Sequence, residues 1–329
     1  MRLKQVMTQN PQHKVTNTQT YALLVILAIV TAIVLLTVFL TEHTLQKTEA
    51  ITTEARTTPA LEVFQPVVVQ ARAAIVWDVK NKTALYQKND EAQLPLASLT
   101  KIMTALVARE SVGGNLLVSV DDADIAAEGD SGLISGDTFS LNDLLSYTLL
   151  VSSNDGAEAI ASAAGAFNAA RGDGSREERR DSFIERMNIR ARELGLVQTF
   201  FTNPTGLDSS LYASGGYGSA RDMAQLFARA VQAFPNIFEA TAYSTLSFET
   251  AEHRDIEGEN TNEALGKIPN FIAGKTGYTD LAGGNLVVAF NAGLDRPIVV
   301  VVLGSTYDGR FTDVATLSEA ALKAIAFSH

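Results

Sequence analysis

The stretch "PLASLTKIMTAL", Pro95 to Leu106, decides how this chain reads. Leu99, Ile102, Met103, Leu106 and Val107 recur at i, i+3, i+4, i+7 and i+8, the apolar stripe of an amphipathic helix. Gly113-Gly114 stops that helix. Ser98 and Lys101 stand at i and i+3, so the helix carries both side chains on one face. A lysine there is either a solvated charge beside an apolar stripe or a base aimed at a serine. The rest of the chain chooses between the two.

Other nucleophiles fail first. Gly129-Asp130-Ser131-Gly132 is similar to the serine signature of trypsin-like proteases, whose chemistry needs a histidine base held by a buried aspartate. In that chain order the histidine comes first, and only His13 and His43 precede Ser131. The first lies in a predicted cytoplasmic segment and the second abuts a predicted membrane span, so the tetrapeptide reads as a loop. No Gly-x-Ser-x-Gly elbow occurs. A serine hydrolase without histidine can use lysine as its base. Bringing a lysine from its ordinary pKa of about 10.4 to near 7 requires about 4–5 kcal/mol of preference for the neutral form. Burial, the positive end of a helix and a second cation all act in that direction. A serine at the helix start also offers its own backbone N–H to an oxyanion.

A Ser-x-x-Lys tetrapeptide alone is expected about once by chance in a chain of this length. Two further motifs change its weight. "LLVSSNDGAEA" holds Ser152-Ser153-Asn154 at a predicted junction between two helices. "FIAGKTGYTDLAGGNLVVAF" holds Lys275-Thr276-Gly277 where a strand is predicted to begin. The order Ser-x-x-Lys, Ser-x-Asn, Lys-Thr-Gly is that of penicillin-binding proteins and class A β-lactamases.

The surrounding elements are legible at low resolution. "ARAAIVWDV" and "TALYQKN" read as strands joined by a hairpin-like turn at Lys80-Asn81-Lys82. "SLNDLLSYTLL" reads as a helix with Ser140 and Asp143 as a capping box, and "NDGAEAIASAAGAF" as a small-residue helix that packs closely. "SREERRDSFIERMNIRARELG" is a longer amphipathic helix, boxed by Ser175 and Glu178 and stopped by Gly195. "SARDMAQLFARAVQAF" is another, opened by Ser219 with Asp222 three residues on. "NLVVAFNAG" and "RPIVVVVLGST" are strands, and "DVATLSEAALKAIAF" is a last helix. Strands, then helices, then strands and a helix predict an antiparallel sheet completed by the far end of the chain, with a helical subdomain.

From about Ala71 onward the chain resembles the serine D-alanyl-D-alanine carboxypeptidases, the low-molecular-mass penicillin-binding proteins of peptidase family S11. "ASLTKIMTAL", "SLNDLLSYTLLVSSNDGAEAIA", "MNIRARELGL", "TFFTNPTGLD", "SARDMAQL", "AGKTGYT" and "VVLGSTYDGR" follow in the family's order. The resemblance implies an α/β (α+β) fold of the β-lactamase/transpeptidase type, a five-stranded antiparallel sheet flanked by helices plus a helical subdomain. It implies that Ser98 attacks the carbonyl between the last two D-alanines of a peptidoglycan stem peptide, with Lys101 as general base. Ser152 relays a proton to the leaving amine beside Lys275, and Asn154 orients substrate and Lys101. Thr276 and Arg310 match positions that bind the terminal carboxylate, Gly277 and Tyr278 are substrate-binding positions, and the backbone N–H groups of Ser98 and Tyr278 match the oxyanion hole. The resemblance implies β-lactams as covalent inhibitors and no cofactor or metal. The middle triplet carries Ser153 where many relatives have glycine, and Tyr278 stands where histidine or phenylalanine is common. D,D-endopeptidase action is the alternative within the family. A β-lactamase ranks lower, because no glutamate between Asn154 and Lys275 has the Glu-x-x-Leu-Asn context of the deacylating residue. A non-catalytic peptidoglycan-binding protein ranks last, because Ser98, Lys101 and Lys275 are all present.

The bulk composition agrees. Of 329 residues 46% are hydrophobic and the net charge is −11, with no basic cluster suited to nucleic acid. There is no cysteine, so disulfides and thiolate metal sites are excluded. His13, His43, His253 and His329 are too scattered for a histidine metal site. "YALLVILAIVTAIVLLTVFL", residues 21–40, is free of charge and long enough for a transmembrane anchor. Arg2, Lys4 and Lys14 precede it without an acid, which places segment 1–20 in the cytoplasm and the rest outside. Residues 41–66 read as a stalk and 67–329 as the catalytic domain. The expected location is the bacterial cytoplasmic membrane, single-pass, with the catalytic domain extracytoplasmic.

Overall fold

Alternating apolar side chains on both faces of a strand require a covered layer on each side, and the carboxy-terminal strands have that pattern. The computed structural model describes residues 24–39, 63–65, 67–126, 128–129, 131–168 and 174–326. Its main sheet contains β1 (Ala73–Asp78), β2 (Thr83–Lys88), β3 (Phe271–Thr279), β4 (Gly283–Asn291) and β5 (Pro297–Ser305). The strand order is β3-β4-β5-β1-β2, and every neighbouring pair is antiparallel. The last strand pairs with the first, Ala73 opposite Leu303 and Asp78 opposite Ile298.

The period of two divides the sheet between two cores. Ile75, Val287, Val299, Val301 and Leu303 point into a large core shared with the helical part. Val76, Leu286, Val288, Val300 and Val302 point to the opposite face, against Phe311, Val314, Leu317 and Ala321 of the last helix. Phe64, within the expected stalk, is buried in this second core and packs on Tyr86 with ring centroids 5.5 Å apart.

The helices are α1 (Lys101–Ser111), α2 (Leu141–Val151), α3 (Asn154–Asn168), α4 (Arg176–Glu193), α5 (Ala220–Ala233), α6 (Pro235–Glu239) and α7 (Gly309–Ala326). A 3-10 turn, Ala97–Thr100, leads into α1. The close packing expected of α3 is present: a Cβ on Gly165 would lie 2.0 Å from the Arg179 carbonyl of α4. Ser175 and Glu178 close a reciprocal box at the start of α4. The other two caps differ in detail. Asp143 accepts from the Ser140 hydroxyl at 2.6 Å, so its carboxylate serves the side chain and not the backbone of its cap. Asp222 is capped by Ser219 but turns its own carboxylate to Gln198 N and Thr199 Oγ1, both at 2.8 Å. Two element starts also move. β3 begins four residues before Lys275, and α7 begins at Gly309, whose N–H is capped by Thr306 Oγ1 at 3.0 Å.

The described residues fall into two units, 24–39 in one and those from 63 to 326 in the other. Within the predicted anchor, residues 24–39 are helical with exposed apolar side chains such as Leu24, Ile29 and Phe39. Among the described residues no helix is long and apolar enough to cross a membrane. The predicted cytoplasmic segment and residues 41–62 of the predicted stalk lie outside the described residues.

Candidate active site

Three pieces of chain converge on Ser98. The first is its own turn. Ala97 has φ +49°, a left-handed conformation that a non-glycine residue adopts only when its surroundings impose it. Those surroundings are the sheet: the buried Asn285 of β4 donates to Pro95 O at 3.0 Å and accepts from Gly304 N of β5 at 2.7 Å. Ser98 is half-buried at the mouth of the turn. Lys101, one turn on, is buried and its Nζ lies 3.0 Å from Ser98 Oγ.

The second piece is the junction between α2 and α3. Ser152 caps α2 in a left-handed conformation, φ +64°, and Asn154 opens α3. Asn154 Oδ1 accepts from Lys101 Nζ at 2.7 Å, while its Nδ2 donates to the Glu128 carbonyl at 2.6 Å. The Glu128 carbonyl can only accept, so this contact fixes which end of the amide faces the lysine. Ser131, rejected as a trypsin-like nucleophile, braces the same junction. Its hydroxyl donates to Asp155 Oδ2 and accepts from Ser153 Oγ, both at 2.8 Å.

The third piece is β3, an edge strand of the sheet. Lys275 is buried, and its Nζ donates to Ser152 Oγ and to Thr276 O, both at 2.8 Å. Gly277 is needed for contact: a Cβ there would lie 3.1 Å from Leu96 O and 3.2 Å from Ser98 N. Thr276 is buried with its hydroxyl 2.5 Å from that of Thr261. Tyr278 is half exposed. Arg310, on the first turn of α7, donates to Gly277 O at 3.0 Å and lies over the rings of Tyr307 and Phe311 at 4.2 and 4.6 Å. The nine residues singled out from the sequence thus lie on these three converging pieces or, for Arg310, against Gly277 of the third.

The electrostatics follow from burial. Burial lowers the pKa of Lys101 to about 7, against an upward pull from Glu158 and Asp155. Burial, and then the charges of Lys101 and Arg310, hold Lys275 well below the lysine range. Burial also holds Arg310 below its ordinary range. Among the described residues no carboxylate comes within ion-pair distance of Lys101, Lys275 or Arg310, whereas Glu158 is paired with Arg180 at 2.8 Å. Arg310 Nε is buried and has no hydrogen-bond partner among the described residues. The Arg310 guanidinium, unpaired with any carboxylate among the described residues and with this free donor, suits an anionic ligand. Among the described residues no group of three or more metal-ligating side chains comes together.

The chain matches the model of Peptidase_S11, D-alanyl-D-alanine carboxypeptidase, over residues 60–306. It belongs to this family. This S11 peptidase is 31% identical over 240 residues to D-alanyl-D-alanine carboxypeptidase DacB2 of Mycobacterium tuberculosis, covering 73% of this chain and 77% of that one. It is 30% identical to DacF of Bacillus subtilis, covering 75% of this chain and 61% of DacF. A D-alanyl-D-alanine endopeptidase of Escherichia coli is 27% identical, with 80% of each chain covered. The crystal structure of the Streptomyces K15 DD-transpeptidase superposes with a TM-score of 0.69 at 25% identity, covering 78% of this chain and 98% of that one.

Some parts of the S11 peptidase's cleft left no mark in the sequence. The Thr205 carbonyl accepts from Lys101 Nζ at 2.8 Å and Glu128 contributes only its carbonyl, and a backbone group shows no residue type to find. Thr261 and Tyr307 sit in stretches without chemical pattern. Tyr307 lies within "VVLGSTYDGR", where Arg310 alone drew notice.

Proposed function

We propose that this chain is a serine D,D-carboxypeptidase that removes the terminal D-alanine from peptidoglycan stem pentapeptides through an acyl-enzyme on Ser98. One observation carries the reading. Lys101 Nζ has three oxygen neighbours, and two of them, Asn154 Oδ1 and Thr205 O, can only accept. A neutral amine has two N–H groups and one lone pair. Both N–H groups are taken, so the lone pair is left for the proton of Ser98, 3.0 Å away.

In this reading Lys101 takes the Ser98 proton as Oγ bonds to the carbonyl carbon. The oxyanion is held by the backbone N–H groups of Ser98 and Tyr278. The C–N bond then breaks as the Lys101 ammonium gives up its proton, relayed by Ser152 beside Lys275, to the departing D-alanine amine, which leaves Lys101 neutral again. Water attacks the ester with Lys101 again as base. Thr276, Lys275 and Arg310 hold the substrate's terminal carboxylate, which supplies the anion that the cleft lacks. A β-lactam enters as the same kind of acyl donor and leaves slowly, with no deacylating glutamate in place.

The test is a fluorescent penicillin on a denaturing gel. A covalent band that vanishes in Ser98→Ala is expected, and an unlabelled wild type refutes the acyl-enzyme. Release of D-alanine from a pentapeptide, against cleavage of a cross-linked dimer, separates the carboxypeptidase from an endopeptidase such as the relative in Escherichia coli. For location, the proposal is a single-pass bacterial membrane protein with residues 67–329 extracytoplasmic, supported by the charge-free run 21–40 and the lysines and arginine before it.

A further inference from the structure

We infer that Thr261 is a positioning residue for substrate, aiming the hydroxyl proton of Thr276 into the cleft through the contact between their two hydroxyls. The inference rests on the proposal that Thr276 binds the substrate's carboxylate. The hydroxyls lie 2.5 Å apart, and neither has another hydrogen-bond partner among the described residues. Each hydroxyl has one proton to donate and two lone pairs. Between two facing hydroxyls only one proton can occupy the shared line, so the pair has two directions. In one, Thr276 points its proton at Thr261 and offers the cleft only lone pairs. In the other, Thr261 donates to Thr276 and the Thr276 proton is released toward the cleft. A carboxylate only accepts, so it binds the second arrangement. The result is a chain from Thr261 to Thr276 to the ligand, in which each O–H strengthens the next.

The backbone around Thr261 is built to hold it there. Asn260 Nδ2 donates to the carbonyls of Thr241 and Tyr243, both at 2.8 Å, and Asn260 Oδ1 accepts from Asn262 N at 2.9 Å. Thr241 in turn accepts from Gly274 N of β3 through its hydroxyl at 3.0 Å. Thr261 N donates to Leu150 O at 3.4 Å, two residues before Ser152. Thr261 is thus tied by its backbone to α2, which leads into the middle motif, and by its side chain to the Lys-Thr-Gly strand. Valine fills the same volume, so packing alone does not require a hydroxyl here.

The experiment measures kcat and KM for D-alanine release by the full chain from an acylated peptide ending in D-Ala-D-Ala. Thr261→Val is expected to lower kcat/KM about tenfold, the worth of one hydrogen bond, chiefly through a raised KM. Thr261→Ser restores the value to within about twofold of wild type. In a Thr276→Val background, Thr261→Val changes kcat/KM less than about twofold, because the group it acts through is gone. Full kcat/KM in Thr261→Val overturns the inference. An equal loss with and without the Thr276 hydroxyl overturns it too, as does an equal loss in the serine and valine variants. A wild type that releases no D-alanine and takes no penicillin sinks the carboxypeptidase reading instead. An active wild type indifferent to Thr261→Val sinks only this one.

Discussion

Acidification is the sharpest perturbation of the proposed base. Burial brings Lys101 from 10.5 to about 7, which corresponds to about 5 kcal/mol of preference for the neutral amine. If acylation needs that amine, its rate follows the neutral fraction, about one half at pH 7, one tenth at pH 6 and one hundredth at pH 5. Acylation of Ser98 by a penicillin therefore falls about 50-fold between pH 7 and pH 5 and rises no more than about twofold above pH 7. Stopped-flow fluorescence with a penicillin in excess reads the rate directly. Two variants sharpen the result. Glu158 pulls the Lys101 pKa upward, so Glu158→Gln moves the midpoint to lower pH. Lys101→Arg keeps a cation that never gives up its proton and is not acylated at any pH. A flat profile between pH 5 and 8, or a midpoint near 10, refutes the lone-pair argument.

The same lysine links stability to pH. Its folded pKa, about 7, lies below the unfolded 10.5, so the unfolded chain binds the extra proton across that window and stability rises with pH there. From pH 7 to 9 the wild type gains about 2 kcal/mol from this group; urea unfolding of Lys101→Met lacks that gain, and equal gains in both proteins count against the buried neutral amine. Gly277→Ala places a Cβ 3.1 Å from Leu96 O and 3.2 Å from Ser98 N. It shifts the nucleophile by tenths of an ångström and slows acylation about 100-fold with under about 1 kcal/mol lost on unfolding; unchanged labelling kinetics would contradict the close approach. Arg310→Lys keeps the charge but loses the planar stack on Tyr307 and the forked donors, so kcat/KM for a carboxylate-ended peptide falls about tenfold or more; a steady-state assay showing parity would remove Arg310 from carboxylate binding.

What the sequence displays depends on which atoms do the job. The valine run of β5 announces a strand covered on both faces, and Ser175 with Glu178 announces the start of α4, because side chains carry those signals. The hairpin Thr245–Glu249 with Asp255–Glu259 stayed hidden: it lies on the surface, and only Phe248 and Ile256 among its side chains are buried. Phe64 was lost in a threonine-rich stretch because a single anchoring aromatic has no period. In the cleft, the three motifs name the side chains but not the backbone that aims them. Ser152 and Ala97 take left-handed conformations without being glycine, so the chain carries no mark of either turn. The Thr205 and Glu128 carbonyls, which settle where the Lys101 lone pair points, could be any residue's.

The pairing of β5 with β1 joins residues more than two hundred positions apart, and it lies in the middle of the sheet and not at its edge. A nascent chain can form α1 to α5 as local pieces, yet the β1–β2 hairpin and the later β3–β4 hairpin stay unjoined until β5 has been made. Closing so long a loop before any contact rewards it makes folding slow, and intermediates with exposed strands are to be expected on the way. The cleft shares that timing, since Lys275 and Thr276 lie on β3 and Arg310 follows β5. Ser98, Lys101, Asn154 and Thr205 are all translated before Lys275, Thr276 and Arg310, so the Lys-Thr-Gly side of the cleft is the later one to form. A carboxy-terminal truncation as short as β5 and α7 would thus erase the sheet's centre and the enzyme together.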